Sequence, residues 1–333
     1  MKTHKISIAL LVTVTSSLAL FTNCLDSKNP ILFQNGEFPD TVVNLKDINS
    51  AYDDYNISMY SLGSNIPIVF SSNRSSEGGQ FDLVQSIFSY AFDQTNGSFW
   101  LGAEITTDVF LANLINKAVT DGDDFGPYRI YDAADGNEYM ILSSQTANGD
   151  LDFYYTKNVP PYGSSIPEVN GPFPVTLLNT VSNDAYVTFT TLHDTLFFCS
   201  DEGGNFDIYT HVRPEGTNLD AWFNQTYESS SAVGAVNSDS DDKCPNILGN
   251  VMVFASNRPG GLGGYDLYYS LLKNGQWGSP VNFGAPINSA ADEYRPFLGG
   301  HADFTNFFLL FSSNRTGGEG GYDLYFTGVD FTN

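Results

Sequence analysis

Acidic residues recur along the chain at Asp53, Asp54, Asp123, Asp124, Asp184, Asp241, Asp242, Asp292 and Glu293. Two carboxylates held in unlike environments can divide glycoside hydrolysis between them, one as acid and the other as nucleophile or base. Here, however, the acids occupy one equivalent place in each of five segments. An acid needed five times over reads as a structural corner, so hydrolysis stands as the alternative and not as the main expectation.

Other chemistries can be weighed in the same way. "ASNRPGGLGGYDLYYS" (255–270) and "SSNRTGGEGGYDLYFT" (312–327) carry enough glycine to cradle a phosphate. A phosphate loop lies between a strand and a helix, so that amide groups and the helix dipole converge on the anion. In this chain strand-type residues flank the glycines on both sides, and the reading is a tight turn between strands. Asp121 and Asp123 in "TDGDDFG", with Asp239 and Asp241 in "NSDSDDK", are weak calcium candidates. Otherwise no cofactor is expected. The four histidines are scattered and form no zinc spacing with cysteine, and no Gly-x-Ser-x-Gly elbow is present. Cys199 and Cys244 are candidates for a disulfide, because both fall toward one rim of neighbouring repeats.

The elements that must position these residues form five copies of one unit. Each contains a hairpin whose aspartate is Asp82, Asp152, Asp207, Asp266 or Asp323, at successive spacings of 70, 55, 59 and 57 residues. A second mark, an apolar residue followed by Asn and then acids, precedes each hairpin aspartate by 33, 36, 28, 29 and 35 residues. Four short strands per unit, with turn residues between them, predict the blades of a propeller. Arg74, Arg258 and Arg315 end second strands opposite Asp82, Asp266 and Asp323, which predicts salt bridges across those hairpin mouths. In the units of Asp152 and Asp207 the carboxylate is expected to accept turn N–H groups.

The two ends of the chain are complementary. Only ten residues follow Asp323, while "DTVVNLKDINSAYDD" (40–54) carries the mark that ends a unit with no unit before it. Residues 40–46 should therefore supply the last blade's fourth strand, which removes an open sheet edge. The expectation is an all-β, five-bladed propeller of four-stranded antiparallel blades closed by an N-terminal strand. "SSNRxGGxGGYDLY" resembles the WD40-like (TolB-type) β-propeller repeat of bacterial envelope proteins, over roughly residues 40–330. The resemblance implies a secreted or periplasmic propeller that binds proteins or envelope polymers. Tyr294 and Arg295 differ between units and are expected to face the channel. Phe99 and Trp100, in the longest unit, are the other contact candidates.

"MKTHKISIALLVTVTSSLALFTNC" places Lys2 and Lys5 before an apolar stretch that ends near Cys24. This resembles a bacterial lipoprotein signal, with Phe21 and Asn23 where a strict lipobox has Leu and a small residue. The implied division is a signal at 1–23 lipidated at Cys24, a flexible tether at 24–38 and the propeller at 39–333. Leu25 directly after the cysteine favours the outer membrane. The net charge of −24 disfavours nucleic acid as a partner. Together these features predict a non-catalytic, lipid-anchored binding or scaffold module of the envelope, contacting a protein or polymer there.

Overall fold

The computed structural model describes residues 30–59, 65–159 and 168–331. The proposed signal and Cys24 lie outside them. Among the described residues no helix is long and apolar enough to cross a membrane.

The chain forms five small antiparallel sheets. After β1 (Val43–Asn44), blade one comprises β2 (Asp54–Met59), β3 (Asn65–Ser72), β4 (Asp82–Asp93) and β5 (Ser98–Glu104). Blade two comprises β6 (Asp124–Asp132), β7 (Asn137–Gln145), β8 (Leu151–Val159) and β9 (Glu168–Pro174). Blade three follows with β10 (Asp184–Phe189), β11 (Thr195–Ser200), β12 (Asp207–Val212) and β13 (Ser231–Ala232). Blade four holds β14 (Asp242–Leu248), β15 (Val251–Ser256), β16 (Asp266–Lys273), the short β17 (Gln276–Trp277) and β18 (Val281–Asn282). Blade five holds β19 (Glu293–Gly300), β20 (Phe307–Ser313) and β21 (Asp323–Val329). The first strand of every blade touches the first strands of both neighbours, so β2, β6, β10, β14 and β19 ring a central channel.

Closure occurs where the ends of the sequence require it. β1 pairs with β21, with Val43 opposite Phe326 and Asn44 opposite Tyr325. Just ahead of it, the Phe38 ring stacks on Phe304 at 3.8 Å, and Asn306 holds both the N–H and the carbonyl of Phe38. Alternation along the strands gives each blade two apolar faces, and these meet as one apolar layer between every neighbouring pair.

Two short helices cap such layers. Helix α1 (Val109–Ala118) starts where the Asp108 carboxylate accepts the Leu111 N–H. It buries Leu111, Leu114, Ile115 and Ala118 over the layer between blades one and two. Helix α2 (Leu219–Phe223) likewise buries Trp222 and Phe223 against blades two and three. The all-β reading did not include α1. It formed around "INKA", one of the five Asn marks, and Asn116 therefore does not work as its counterparts do. Asn49, Asn179, Asn237 and Asn288 each hold the N–H and carbonyl of the residue after a hairpin aspartate, clamping a third strand.

The salt bridges expected across the hairpin mouths are not formed. Arg74, Arg258 and Arg315 reach back to the acid that opens their own blade's inner strand: Asp54 at 2.5 Å, Asp242, and Glu293 at 3.0 Å. These acids are fully buried, and an arginine is the group that can neutralise them there. Asp266 and Asp323 turn inward instead: Asp266 accepts the Leu262 and Gly263 N–H groups, and Asp323 those of Glu319 and Gly320. Asp152 and Asp207, expected to do the same, do not. Their shorter turns are closed by backbone bonds, Gly149 N–H to the Thr146 carbonyl and Gly204 N–H to that of Asp201, and Oδ1 of each aspartate is buried without a hydrogen-bond partner among the described residues.

Candidate functional site

The inner strands share one irregularity. Each pairing of first and second strand shifts register just after its opening acid. The residue at the shift has positive φ in every blade: Asn56 (62°), Gly126 (56°), Tyr186 (62°), Cys244 (57°) and Arg295 (47°). An extra residue in an inner strand turns its side chains out of the ordinary alternation. Four non-glycine residues in the left-handed region form a cluster of backbone strain around the channel.

The acid before each opening acid ties the ring together. Asp53 accepts the Tyr322 N–H at 2.8 Å, Asp123 that of Phe81 at 2.8 Å, and Asp241 that of Phe206 at 3.0 Å. Asp292 accepts the Tyr265 N–H at 2.8 Å, and in blade three Asn183 accepts that of Leu151 at 3.0 Å. Each tie joins one blade to the hairpin of the blade before it. The paired glycines of the motif exist for this approach: a Cβ on Gly320 would lie 2.0 Å from the Tyr52 carbonyl oxygen, and one on Gly321 2.2 Å from Asp53 Oδ1. The glycine motif is thus a hairpin that must also lie against its neighbour.

At this rim the channel opens into a cavity of about 310 Å³ lined by Asp53, Tyr55, Phe81, Tyr186, Tyr265, Asp292, Tyr294 and Tyr322. Tyr55 and Tyr322 stack at 5.6 Å, and Tyr265 meets Tyr294 edge-on at 5.2 Å. The Tyr322 hydroxyl donates to Asp292 Oδ2 at 3.2 Å, and the Tyr265 hydroxyl to Asp241 Oδ2 at 2.6 Å. Burial, reinforced by the Asp292 carboxylate, raises the Tyr322 phenol well above its ordinary range, so it remains a neutral donor. Burial alone would raise the Asp241 carboxyl, but the Tyr265 hydroxyl, the Phe206 N–H and Lys243 outweigh it and hold it low. Lys243 lies 3.8 Å from the Phe206 ring centroid and 3.6 Å from Asp241. The opposite mouth, a cavity of about 400 Å³ that includes Tyr128, His193, Asn246 and Phe297, has no acidic residue among the described residues lining it.

Of the sequence candidates, Tyr294 lines the aromatic mouth and Arg295 lies beneath it, 3% exposed. Phe99 and Trp100 are elsewhere. They belong to the outer strand β5, where Phe99 packs inward on Phe38 at 5.9 Å and only Trp100 is exposed. Strand alternation separates two neighbours that the sequence grouped as one contact. The calcium candidates also separate: Asp123 and Asp241 are engaged in the inter-blade ties, while Asp121 and Asp239 point outward from the turns before them. No cluster of three or more metal-ligating side chains occurs among the described residues. Cys199 and Cys244 share a buried cluster, yet both are free thiols, and Cys199 Sγ donates to its own blade's Ala185 carbonyl at 3.2 Å.

Sequence reasoning missed Tyr55, Phe81, Tyr186, Tyr265 and Tyr322 as lining groups. A signal was present: Tyr265 and Tyr322 immediately precede hairpin aspartates and Tyr55 immediately follows an opening acid, places shared by all five units.

No family model matches the chain, and no curated protein matches it in sequence. Solved structures do match. An exo-β-1,3-galactanase from Phanerochaete chrysosporium aligns over 90% of this chain and 65% of its own, at 13% identity and a TM-score of 0.53. A GH43_1 enzyme from Xanthomonas citri, complexed with xylose, aligns over 88% and 91% at 11% identity and a TM-score of 0.52. A GH43 protein from Bacillus licheniformis aligns over 88% and 55% at 11% identity and a TM-score of 0.50. At these identities the likeness is one of fold. It still corrects three expectations, because the frames that match are glycoside hydrolase propellers. The WD40-like, TolB-type affiliation is not recovered, the reading as a non-catalytic envelope scaffold is overturned, and so is the expectation that the chain is not an enzyme. What stands is a five-bladed, all-β propeller closed by its own N-terminal strand.

Proposed function

We propose that this protein acts on glycans as a propeller hydrolase, with the aromatic mouth as its sugar site. The observation that carries the reading is the composition of that mouth: six aromatic residues and two carboxylates around one cavity. Sugars offer C–H faces that pack on aromatic rings and hydroxyls that bond to carboxylates, so this lining suits a saccharide better than a purely apolar ligand. Asp53 and Asp292 each use Oδ1 for a backbone tie, which leaves Oδ2 directed to the other side. Asn73 donates to Asp53 Oδ2 and Asn314 to Asp292 Oδ2, each at a long 3.4 Å, and Asp292 Oδ2 alone of the two, among the described residues, also meets the Tyr322 hydroxyl. We assign these two as the acid and base pair. One has a phenol beside it and the other does not, and such a difference in surroundings separates the two roles.

The test is release of reducing sugar from a panel of plant and microbial polysaccharides. Asp53→Asn and Asp292→Asn keep an oxygen for the backbone tie, so folding should hold while hydrolysis drops by about 10²-fold or more. Variants with unchanged melting and unchanged hydrolysis would refute the assignment. We also place the propeller outside the inner membrane, tethered to the outer membrane through a lipid on Cys24, where polymers of the envelope or its surroundings are within reach. Lys2, Lys5 and the apolar run ahead of Cys24 support that placement. Labelling with a radioactive fatty acid, lost in Cys24→Ala, tests it.

A further inference from the structure

Arg74, Arg129, Arg213, Arg258 and Arg315 are each ion-paired to a carboxylate. The remaining arginine, Arg295, is 3% exposed and has no ion pair among the described residues, and its Nη1 has no hydrogen-bond partner. A chain with 38 acidic residues against 14 basic ones is not short of carboxylates to supply. Burying a charge without a partner is costly, and the usual resolution is a counter-ion or a hydrogen-bonding group in contact with it.

Arg295 occupies the positive-φ position of blade five and projects across the channel. Its guanidinium carbon lies 5.5 Å from the ring centroid of Tyr186, which holds the same position in blade three. In blade one that position belongs to Asn56, fully buried, with neither its amide nitrogen nor its amide oxygen finding a partner among the described residues. Unpartnered donors therefore stand at the same level of the channel in two adjoining blades. Cys199 and Cys244 lie in one buried cluster with Tyr186, and their neutral thiols supply no negative charge: burial pushes Cys244 up to about 12 and Cys199 higher still.

We propose that the waist of the channel, at Arg295, is a binding site for a small monovalent anion, a halide or a single carboxylate. One positive charge in a buried space balances one negative charge, and a divalent anion would leave an excess. A planar guanidinium suits a carboxylate best, through two parallel hydrogen bonds. Tyr186 and Tyr294 line the mouth just above, so the carboxylate of an acidic sugar entering there and a free ion share the same chemistry. The site goes beyond the glycan reading and does not depend on any hydrolysis.

The experiment is thermal melting of the whole protein in sodium chloride, bromide or formate, with sodium sulfate as the background at matched ionic strength. It is joined by anomalous diffraction from bromide-soaked crystals. Above the dissociation constant, each tenfold rise in the monovalent anion should raise Tm by about 2 °C. Bromide should scatter beside Arg295. Arg295→Met should abolish the dependence and Arg295→Lys should retain part of it. If a glucuronate oligosaccharide protects at concentrations where formate and the neutral oligosaccharide do not, the carboxylate arrives on a sugar. If formate or halide protects equally, the site takes a free ion. A wild-type Tm that is indifferent to all of these anions, with no bromide beside Arg295, would overturn the proposal whatever the variants do, and it would leave the assignments of Asp53 and Asp292 untouched.

Discussion

Three inner-strand acids are neutralised by an arginine and two are not, and that asymmetry should be measurable as a dependence of stability on pH. Asp54, Asp242 and Glu293 are paired with Arg74, Arg258 and Arg315. At the corresponding places blade two has Thr146 and blade three has Glu202, so Asp124 and Asp184 are buried with only neutral donors. Burial raises both carboxyls to about 6, and the hydrogen bonds from Thr120 and Thr180 offset it only in part. Against an ordinary carboxyl at 3.8, this amounts to about 3 kcal/mol per group as an upper figure. The folded state here holds the proton more tightly than the unfolded state. The cost is therefore absent below pH 4, grows as pH rises from about 4 to 6, and is fully present above that.

Asp184→Asn keeps an acceptor oxygen for Thr180 and removes the charge. Urea unfolding at pH 4, 5, 6, 7 and 8 should find this variant equal to wild type at pH 4 and more stable by up to about 3 kcal/mol at pH 7 and above. The quantity to read is the difference between the two proteins, because Asp93, Asp220 and Asp241, held below the ordinary carboxylate range, push the overall slope the other way. Thr146→Arg should reproduce the effect in blade two by supplying the missing partner. A difference that stays flat across this range, or an Asn variant less stable at pH 7, would refute the reasoning.

Other outcomes follow from the same contacts. Arg258→Ala strands the fully buried Asp242 and should cost about 3–5 kcal/mol in denaturant unfolding, whereas Arg258→Ala with Asp242→Asn should recover much of it. Phe38→Ala removes a ring in contact with Phe304, Tyr90 and Phe308 and should cost about 3–5 kcal/mol; hydrogen exchange should then rise first along β21, whose outer neighbour is β1. Gly321→Ala drives a Cβ into Asp53 Oδ1 and should loosen the tie between blades five and one, lowering Tm and, under the proposed function, hydrolysis as well. Cys199 and Cys244 should stay unreactive toward a thiol reagent until the protein is unfolded, since both are fully buried.

Much of the architecture is written locally and could be read from the sequence. Turn glycines, period-two alternation and the repeated Asn and Asp marks act within a few residues of where they stand, so their recurrence five times predicts five blades directly. The closing strand was legible for a related reason: a mark with no unit before it and a unit with no fourth strand are two halves of one statement. The partners of the motif residues were not legible. Arg258 lies eight residues from Asp266 and sixteen from Asp242, and sequence distance favours the wrong acid; only burial of Asp242, imposed by the packing of five inner strands, makes it the stronger claim on the guanidinium. The mouth lay further out of reach. Tyr55 and Tyr322 are separated by almost the whole chain and become neighbours because the ring closes blade five onto blade one. The solitude of Arg295 is likewise a property of the assembled channel, since which carboxylates fail to reach a buried charge is decided only when every blade is in place.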